Sequence, residues 1–300
     1  MNIRRILTIG FIISVIAMIV ATGSFVRYGL LFGVDFTGGT VMEISFENER
    51  PDVATMQAVL TGRADAPWAS ATVTPANDAG MIIRTGPLTE AEHQLLLQAL
   101  QKGLPQHPFV EDKFDSIGPT IGGELKTKSI QAIVIVLVLV GLYIAWVFRR
   151  VGPVLSSWTM AFATLVGLLH DLIIPVGVFA YLGHAAHVEI GAVFVAALLT
   201  VLGYSISDTV VVFDRVRENI IRSNGRSSLE EIIPLSIRQT LVRSLNTTLT
   251  TLLSLFAVYF FGGESVKYFA LALILGIGLG AYSSVFVASP LLLWLSPRKR

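Results

Sequence analysis

The stretch GYSISDTVVVFDRVREN (203–219) places an aspartate, Asp208, inside an otherwise uncharged helical segment. Five uncharged residues separate it from the charged run that begins at Asp214. At 1.5 Å per residue this gap is about 9 Å along a helix. A carboxylate within a membrane helix costs roughly 2.5–3.5 kcal/mol on insertion scales, so such residues are usually functional or paired. The stretch therefore predicts a membrane helix in which Asp208 lies inside the bilayer and is functional.

The composition of the whole chain is that of a membrane protein. Hydrophobic residues make up 53% and charged residues only 14%, whereas soluble domains carry roughly a quarter charged residues. The net charge of +1 gives no overall field for nucleic acid. The chain has no cysteine, which excludes disulfides, thiolate metal sites and thiol catalysis.

Six apolar runs approach or reach the roughly 20 residues that span a bilayer as a helix. The first resembles a signal peptide, but its apolar run is longer than a signal segment and five more runs follow, which favours an uncleaved helix. The six runs are 6–26, 130–148, 154–182, 188–213, 244–262 and 266–295.

The distribution of Lys and Arg predicts the orientation of these spans. One side of the membrane receives 13 of them, near both termini, after the second span and between 215 and 243. The short loops on the other side, 183–187 and 262–267, contain only Lys267. Because positive residues stay in the cytoplasm, both termini are predicted to be cytoplasmic. The chain then divides into 1–26 (N-terminus and first span), 27–129 (an external domain) and 130–300 (five further spans).

The external segment 27–129 carries the pattern of a small α+β domain. GTVMEISF alternates apolar side chains as a strand does, and Thr89 with Glu92 forms the capping box of a helix. Such a domain of about 100 residues leaves no room for a large enzyme. The order β-α-β-β-α-β is that of a ferredoxin-like fold. The predicted strands are 39–46, 70–75, 80–85 and 109–118, with a turn at Asn77 and Asp78, and the helices are 51–62 and 89–102.

The charged segment 214–242 is predicted to form a solvated connection at the membrane surface. Its pattern indicates helix in two pieces that meet at Asn224 and Gly225, and Pro234 is expected to interrupt the second piece.

Polar side chains on the fourth and fifth predicted spans suggest an ion pathway. Tyr204, Asp208 and Arg215 share one helical face, with Ser205 one turn before Asp208. Arg243 enters from the cytoplasmic end and reaches roughly the depth of Asp208, which predicts a hydrated path or an ion pair. The fifth span opens RSLNTTLTTLLS, in which Arg243, Thr247, Thr250 and Ser254 recur on one face, beside Asn246 and Thr251.

A third polar position is His170–Asp171 in GLLHDLIIP (167–175). A competing interpretation treats all of these groups as contacts that only hold helices together, which is common for Ser and Thr in membranes. We favour that interpretation for the Ser/Thr stripe and a functional one for Asp208, because ionisable groups at depth are costly to keep. For His170 and Asp171 both interpretations stay open.

The remaining motifs mainly exclude kinds of site, such as a phosphate loop or a metal site. TGGT (37–40) lacks the Lys of a phosphate loop, so Gly38 and Gly39 are expected to form a tight turn. His184 and His187 are read as loop residues, and no metal site is predicted. Gly276 and Gly280 form a GxxxG motif that predicts close approach of a neighbouring helix. With no nucleotide site, nucleophile triad or cofactor motif, energy would come from an ion gradient, of H⁺ or Na⁺.

Four motifs in order resemble the SecF family, the smaller integral subunits of bacterial SecD–SecF protein-export complexes. They are VDFTGGTVMEI (34–44), which includes Asp35, IGPTIGGEL (117–125), His170–Asp171, and the opening stretch. The resemblance covers essentially the whole chain. It departs from the family at Ser207, where Asn is frequent, and this leaves the aspartate untouched.

The resemblance implies a non-enzymatic subunit of the bacterial inner membrane and one six-helix half of an RND-like bundle. It implies partners SecD, YajC and the SecYEG channel, unfolded secretory polypeptides as cargo, and use of the proton motive force late in translocation. It also implies that Asp208 and Arg243 take part in proton movement. Two alternatives stay open: half of an RND-type exporter of small molecules or lipids, and a translocon scaffold without ion coupling.

Overall fold

The computed structural model describes residues 3–76, 79–149, 151, 155–223 and 226–296. Several residues on which predictions depend lie outside these ranges: the turn residues Asn77 and Asp78, the break at Asn224 and Gly225, and the basic residues Arg150, Arg298, Lys299 and Arg300. The chain forms two compact units. One contains the residues up to Leu31 and from Gln131 onward, and the other is Phe32–Ile130.

In chain order the secondary structure consists of the following elements. They are α1 (Ile3–Tyr28), α2 (Val34–Thr37), β1 (Gly39–Phe46), α3 (Val53–Thr61), β2 (Thr72–Pro75), β3 (Gly80–Thr85), α4 (Glu90–Gly103), β4 (Phe109–Ile117), α5 (Pro119–Val147), α6 (Ser157–Ala186), α7 (Ala192–Arg222), α8 (Leu229–Phe261), α9 (Glu264–Ser283), a π-helical turn (Ser284–Ala288) and α10 (Ser289–Leu295).

The prediction of a helical membrane protein is confirmed. Within the described ranges, six helical stretches are long and apolar enough to span a membrane, and they correspond to the six predicted runs. The second, fourth and fifth are longer than predicted, because α5 has 29 residues, α7 has 31 and α8 has 33. Since roughly 20 residues suffice to cross the hydrocarbon, these three helices are longer than one crossing requires.

The predicted interruption at Pro234 is wrong, because Pro234 lies inside α8. A proline removes one backbone donor and crowds the carbonyl four residues earlier. Here that carbonyl belongs to Glu230, in the first turn of the helix, so only one bond near the helix end is lost. The charged segment is therefore formed largely by the ends of α7 and α8.

Small residues let the membrane helices approach closely. A Cβ added at Gly276 would lie 2.2 Å from Val201 Cγ2, and one at Gly280 would lie 3.0 Å from Ser205 Cβ. The predicted close approach at the GxxxG motif is thus confirmed, with α7 as the neighbour. At Gly177 of α6 an added Cβ would lie 2.4 Å from the Cα atom of Ala21 in α1, so these two backbones are in direct contact.

The sixth span is not one regular α-helix, since the π-helical turn joins α9 to α10. In this turn the Ser289 hydroxyl donates to the Ser284 carbonyl, five residues back, at 2.7 Å. Such turns carry one extra residue and occur frequently at functional sites. The apolar pattern of 266–295 gave no indication of this irregularity.

The second unit contains a four-stranded antiparallel sheet in the order β2-β3-β1-β4. The pairing of β1 with β4 shifts register between Glu43 and Ile44, where Asp112 of β4 is the extra residue. The capping box of α4 is present: the Thr89 backbone N–H donates to Glu92 Oε2 at 2.7 Å and the Glu92 N–H to Thr89 Oγ1 at 3.4 Å. The core of this unit includes Met42, Ile44, Met56, Leu60, Trp68, Met81, Ile83, Leu96 and Leu100.

The Gly38–Gly39 turn is confirmed by its backbone angles. Gly38 has φ +75° and Gly39 has φ +123°, values that disfavour any residue with a side chain. A Cβ at Gly38 would also lie 2.6 Å from the Cα atom of Pro119. Asp35 lies in the short helix α2, immediately before this turn.

Candidate functional site

Asp208 lies on α7 and accepts hydrogen bonds from two other segments of the membrane unit. The Ser244 hydroxyl, on α8, donates to Oδ1. The Ser284 hydroxyl, in the π-helical turn, donates to Oδ2 at 2.6 Å. Asp208 itself is only partly buried. Its carboxylate is therefore bound by side chains on one side and accessible on the other.

The accessible side of Asp208 faces a pocket between α7 and α8. About 80 Å³ of this pocket can be occupied by the centre of a water molecule. One water needs roughly 10–15 Å³ on this measure, so the pocket has room for several. Of the residues predicted for an ion pathway, it brings together Tyr204, Asp208, Arg243 and Thr247, and it does not include Arg215, Thr250 or Ser254. The lining residues are Tyr204, Ser207, Asp208, Val211, Arg243, Ser244 and Thr247.

Of the two predicted relations between Asp208 and Arg243, the structure contains the shared pocket and not the ion pair. Among the described side chains no salt bridge joins them, and Arg243 is exposed. Arg215, predicted on the same face as Asp208, pairs instead with Glu218 at 2.6 Å. The Tyr204 hydroxyl donates to Thr248 Oγ1 at 3.4 Å.

The hydroxyl stripe of α8 binds its own helix. The Thr247 hydroxyl donates to the Arg243 carbonyl at 3.0 Å, that of Thr250 to Asn246 at 2.9 Å and that of Ser254 to Thr250 at 3.3 Å. These groups are exposed. Each hydroxyl is thus satisfied without a second helix, while its polar oxygen still lies on the open face of α8.

His170 and Asp171 form a pair deep inside the bundle. Asp171 has no exposed surface and His170 has 1%. His170 Nδ1 lies 2.8 Å from Asp171 Oδ1. The other carboxylate oxygen of Asp171 accepts from the hydroxyls of Ser205 at 2.5 Å and Ser283 at 2.7 Å. A second carboxylate is therefore fully enclosed by polar partners from three segments.

Sequence reasoning missed three residues of this arrangement: Ser244, Ser283 and Ser284. Ser244 follows Arg243 directly and lies about 100° around α8 from the stripe, although it lines the same pocket as Arg243 and Thr247. Ser283 and Ser284 form an adjacent pair of hydroxyls in an apolar span, and that pair was the available signal. Their roles depend on the π-helical turn, which no simple periodicity predicts.

The prediction that His184 and His187 are loop residues is wrong for His184. His184 is in the last turn of α6 and stacks on Tyr28 with a ring separation of 4.3 Å. His187 follows that helix in a left-handed conformation, with φ 53°. In the part of the chain that the structure describes, no group of His, Asp and Glu side chains is placed to hold a metal ion.

Comparison with known proteins decides the family. Residues 98–298 match the family described as protein export membrane protein SecD/SecF, C-terminal, and residues 23–49 match the SecD/SecF GG motif. The protein translocase subunit SecF of Thermobaculum terrenum is 40% identical over 94% of this chain and 90% of its own length. The chain belongs to the SecF family of protein translocase subunits.

Further relatives agree. SecF of Pseudomonas aeruginosa is 33% identical over 98% of this chain and 91% of its own length. The crystal structure of SecDF, a translocon-associated membrane protein from Thermus thermophilus, is 31% identical with a TM-score of 0.81 over 98% of this chain. A second structure of SecDF, in a super-membrane-facing form, gives a TM-score of 0.64. This chain spans 38% of the length of either SecDF chain. The family assignment makes it an auxiliary subunit of the Sec export machinery and not an enzyme.

Proposed function

We propose that this SecF-family chain couples the proton motive force to late, ATP-independent steps of protein export, with Asp208 as the group that binds and releases the proton. The proposal rests on the pocket between α7 and α8, which is lined by Asp208 and Arg243 and has room for water molecules. A carboxylate that reaches water on one side and helix-borne hydroxyls on the other can exchange a proton without leaving the bundle.

The two serine hydroxyls and Arg243 have different parts in this proposal. Hydroxyl hydrogens rotate, so Ser244 and Ser284 can donate to an ionised Asp208 or accept from a protonated one. Arg243 carries a permanent charge. If it alternates between a close and a distant position, the affinity of Asp208 for a proton alternates with it. Tyr204 and Thr247 line the route that this movement would take.

We also propose that SecD supplies a second six-helix half, as in an RND-like bundle. The exposed face of α8 presents Arg243, Asn246 and Thr250, and polar surface that faces lipid is costly unless it is covered. The solved SecDF chain is much longer than this one, which supports the existence of a partner subunit. The same reasoning extends to YajC, to the SecYEG channel and to an unfolded secretory polypeptide as further partners.

The proposed location is the bacterial inner membrane, with both termini in the cytoplasm and the second unit in the periplasm. The asymmetry of Lys and Arg supports this orientation. We further propose that the second unit is ferredoxin-like. Its antiparallel sheet order β2-β3-β1-β4, with one helix after β1 and one after β3, supports that assignment.

The test is Asp208→Asn, which nearly preserves size but cannot carry a proton. We expect normal insertion and loss of the gradient-stimulated part of export, measured as late translocation of a secreted protein into membrane vesicles with and without a proton gradient. A non-coupled scaffold predicts equal stimulation in both proteins, because an amide still hydrogen-bonds across helices. Replacing the proton gradient by a sodium gradient in the same vesicles identifies the ion. Stimulation by sodium alone would contradict the proton assignment.

A further inference from the structure

Two adjacent serines in the sixth span bind two different aspartates. The Ser283 hydroxyl donates to Asp171 at 2.7 Å, and the Ser284 hydroxyl donates to Asp208 at 2.6 Å. They lie where α9 enters the π-helical turn. One short segment of backbone therefore holds both carboxylates of the bundle interior.

A second connection runs along α7. Ser205 donates to Asp171 at 2.5 Å and lies three residues before Asp208 on the same helix. Residues at this spacing have Cβ atoms roughly 5–6 Å apart. Asp171 is therefore hydrogen-bonded to a residue that lies one helical turn from Asp208 on α7, in surroundings where charges are weakly screened.

Both serines have a second acceptor within reach. The Ser283 hydroxyl lies 3.2 Å from the Gly280 carbonyl and the Ser284 hydroxyl 3.0 Å from the Ala281 carbonyl. When a carboxylate gains a proton and becomes a donor, its serine can turn its own hydrogen to this backbone oxygen. When either acid gains or loses a proton, rotation of a hydroxyl thus keeps the hydrogen bonds satisfied, with no movement of the helices.

The remaining titratable and charged groups around Asp171 come from three helices. His170 is its neighbour on α6, with Nδ1 at 2.8 Å. Tyr282 of α9 stacks on His170 with ring centroids 6.1 Å apart, and its hydroxyl donates to the Gly10 carbonyl of α1. On α7, Asp208 lies three residues after Ser205, the serine that binds Asp171. These groups make the interior around Asp171 a site that can hold a proton on either His170 or Asp171.

We propose that the His170–Asp171 pair is a second proton-binding site, coupled to Asp208 through Ser283, Ser284 and Ser205. The proposal rests on the proposed function, since it adds a step to the same proton route. A purely structural pair would not need ionisable groups, because neutral side chains make the same hydrogen bonds without the cost of a buried charge. Asp171 would take the proton that Asp208 releases, or would stay protonated while Asp208 is ionised.

The experiment is infrared difference spectroscopy of the full chain with its partner subunit, titrated over pH. A protonated carboxyl group has a distinct C=O stretching band. We expect two such bands to titrate, one absent from Asp208→Asn and one absent from Asp171→Asn. Removal of either acid should move the titration midpoint of the other by about one pH unit, because the two acids are bound by adjacent serines in weakly screened surroundings.

Ser283→Ala is the second variant, and it leaves both acids in place. We expect it to move the midpoints of both bands by about half a pH unit. Thr164→Val is the matched control: its hydroxyl is buried on the same helix as Asp171 but donates only to the Met160 carbonyl, at 2.9 Å. This control should leave both midpoints unchanged.

Absence of a band that depends on Asp171 overturns the proposal, as do midpoints that move by less than a quarter of a pH unit in both Asp171→Asn and Ser283→Ala. Equal shifts in Ser283→Ala and Thr164→Val also overturn it, because they would reflect general loosening. The proposed function fails separately, through gradient-stimulated export that survives in Asp208→Asn. Coupled bands together with surviving export would leave the second site standing and remove the export mechanism.

Discussion

The membrane bundle and the 32–130 unit bury different kinds of side chain. The interior of the 32–130 unit consists of large apolar residues such as Trp68, Met42 and Leu96, and among its described residues only Thr40 and His93 are buried polar groups. The described part of the bundle buries many more. Its buried polar residues are Ser14, Thr164, His170, Asp171, Ser205, Thr209, Asn219, Ser236, Thr240, Ser244, Thr248, Ser283, Ser284, Ser289 and Ser296.

The difference follows from the solvent on the outside. A soluble unit gains stability by removing apolar surface from water. Helices in lipid have no such gain on meeting one another, so they associate through close backbone approach and hydrogen bonds. The interior of the bundle is therefore rich in hydroxyls for structural reasons, and a titratable group placed among them already has partners. The bundle interior therefore supplies the hydrogen-bonding partners that a proton-binding group needs.

The largest expected effect is functional and lies in the bundle. Arg243→Ala should reduce gradient-stimulated export at least tenfold, to the level without a gradient, because the proposed mechanism needs the charge of Arg243 near Asp208. Arg243→Lys should keep part of the activity, since it retains the charge but not the planar donor group.

The same vesicle assay checks both Arg243 variants. Arg238→Ala is the control, since Arg238 is also exposed on α8 but does not line the pocket. If Arg238→Ala reduces export equally, only surface charge matters. The contrast between the bundle and the 32–130 unit would then be one of structure and not of function.

The next effect is on the stability of the 32–130 unit. We expect residues 27–129 expressed alone to fold, because they contain their own core, and circular dichroism should show mixed helix and strand. In this fragment Leu96→Ala should lower the free energy of unfolding by about 2–5 kcal/mol, as is usual for a fully buried leucine. Urea denaturation measures it. Leu95→Ala, at a neighbouring position with 49% exposure, should cost far less, and equal losses would contradict the assigned core.

A smaller loss is expected where two membrane helices touch. Gly177→Ala inserts a methyl group against the backbone of α1 and should cost about 1–3 kcal/mol, the usual range for overpacking. Thermal unfolding in detergent is the measurement. Gly23→Ala, on α1 with open space around it, should be neutral or slightly stabilising, since alanine favours a helix over glycine. If the two variants unfold at the same temperature, α1 does not pack on α6 through this glycine.

The smallest effect concerns the capping box of α4. Thr89→Ala should lower the free energy of unfolding of the isolated 27–129 fragment by about 1 kcal/mol. Thr61→Ala should lower it less, because the Thr61 hydroxyl donates only to the Gln57 carbonyl of its own helix. Urea denaturation again separates the two variants.

The cap also predicts a pH dependence. The Thr89 backbone N–H, followed by its hydroxyl, lowers the pKa of Glu92 from its ordinary 4.5. A lowered pKa adds stability above the unfolded value that is lost as pH falls through the folded one. Stability should therefore decline more steeply below pH 4.5 in the wild type than in Glu92→Gln; parallel curves would contradict the role of this carboxylate.

Much of the fold could be predicted from the sequence because the signals are local. Length and hydropathy locate the spans, positive φ explains Gly38 and Gly39, and the spacing of Thr89 and Glu92 marks a helix start. Pro234 was misjudged because the cost of a proline depends on its distance from the helix end, which the sequence did not reveal. The assembly of Tyr204, Asp208, Arg243 and Thr247 followed from helical spacing.

The serine partners of both aspartates could not be predicted in the same way. Whether Ser283 faces Asp171 or lipid depends on how α9 is rotated against α6 and α7, and that rotation is set by packing between helices distant in sequence. The same holds for Ser244. The assignment of Asp208 and Arg243 to proton movement stays a prediction.

The π-helical turn in the sixth span has a consequence for helical phase. Each residue of an α-helix advances the side-chain direction by about 100°, and this turn accommodates one residue more than a regular helix. Deleting a single residue between Ser284 and Ala288 would restore a regular helix and rotate α10 relative to α9 by about that angle. Ser283, which binds Asp171, and Leu292, which lies in the bundle core, could then no longer both face inward. The number of residues in this span is thus constrained as tightly as their identity.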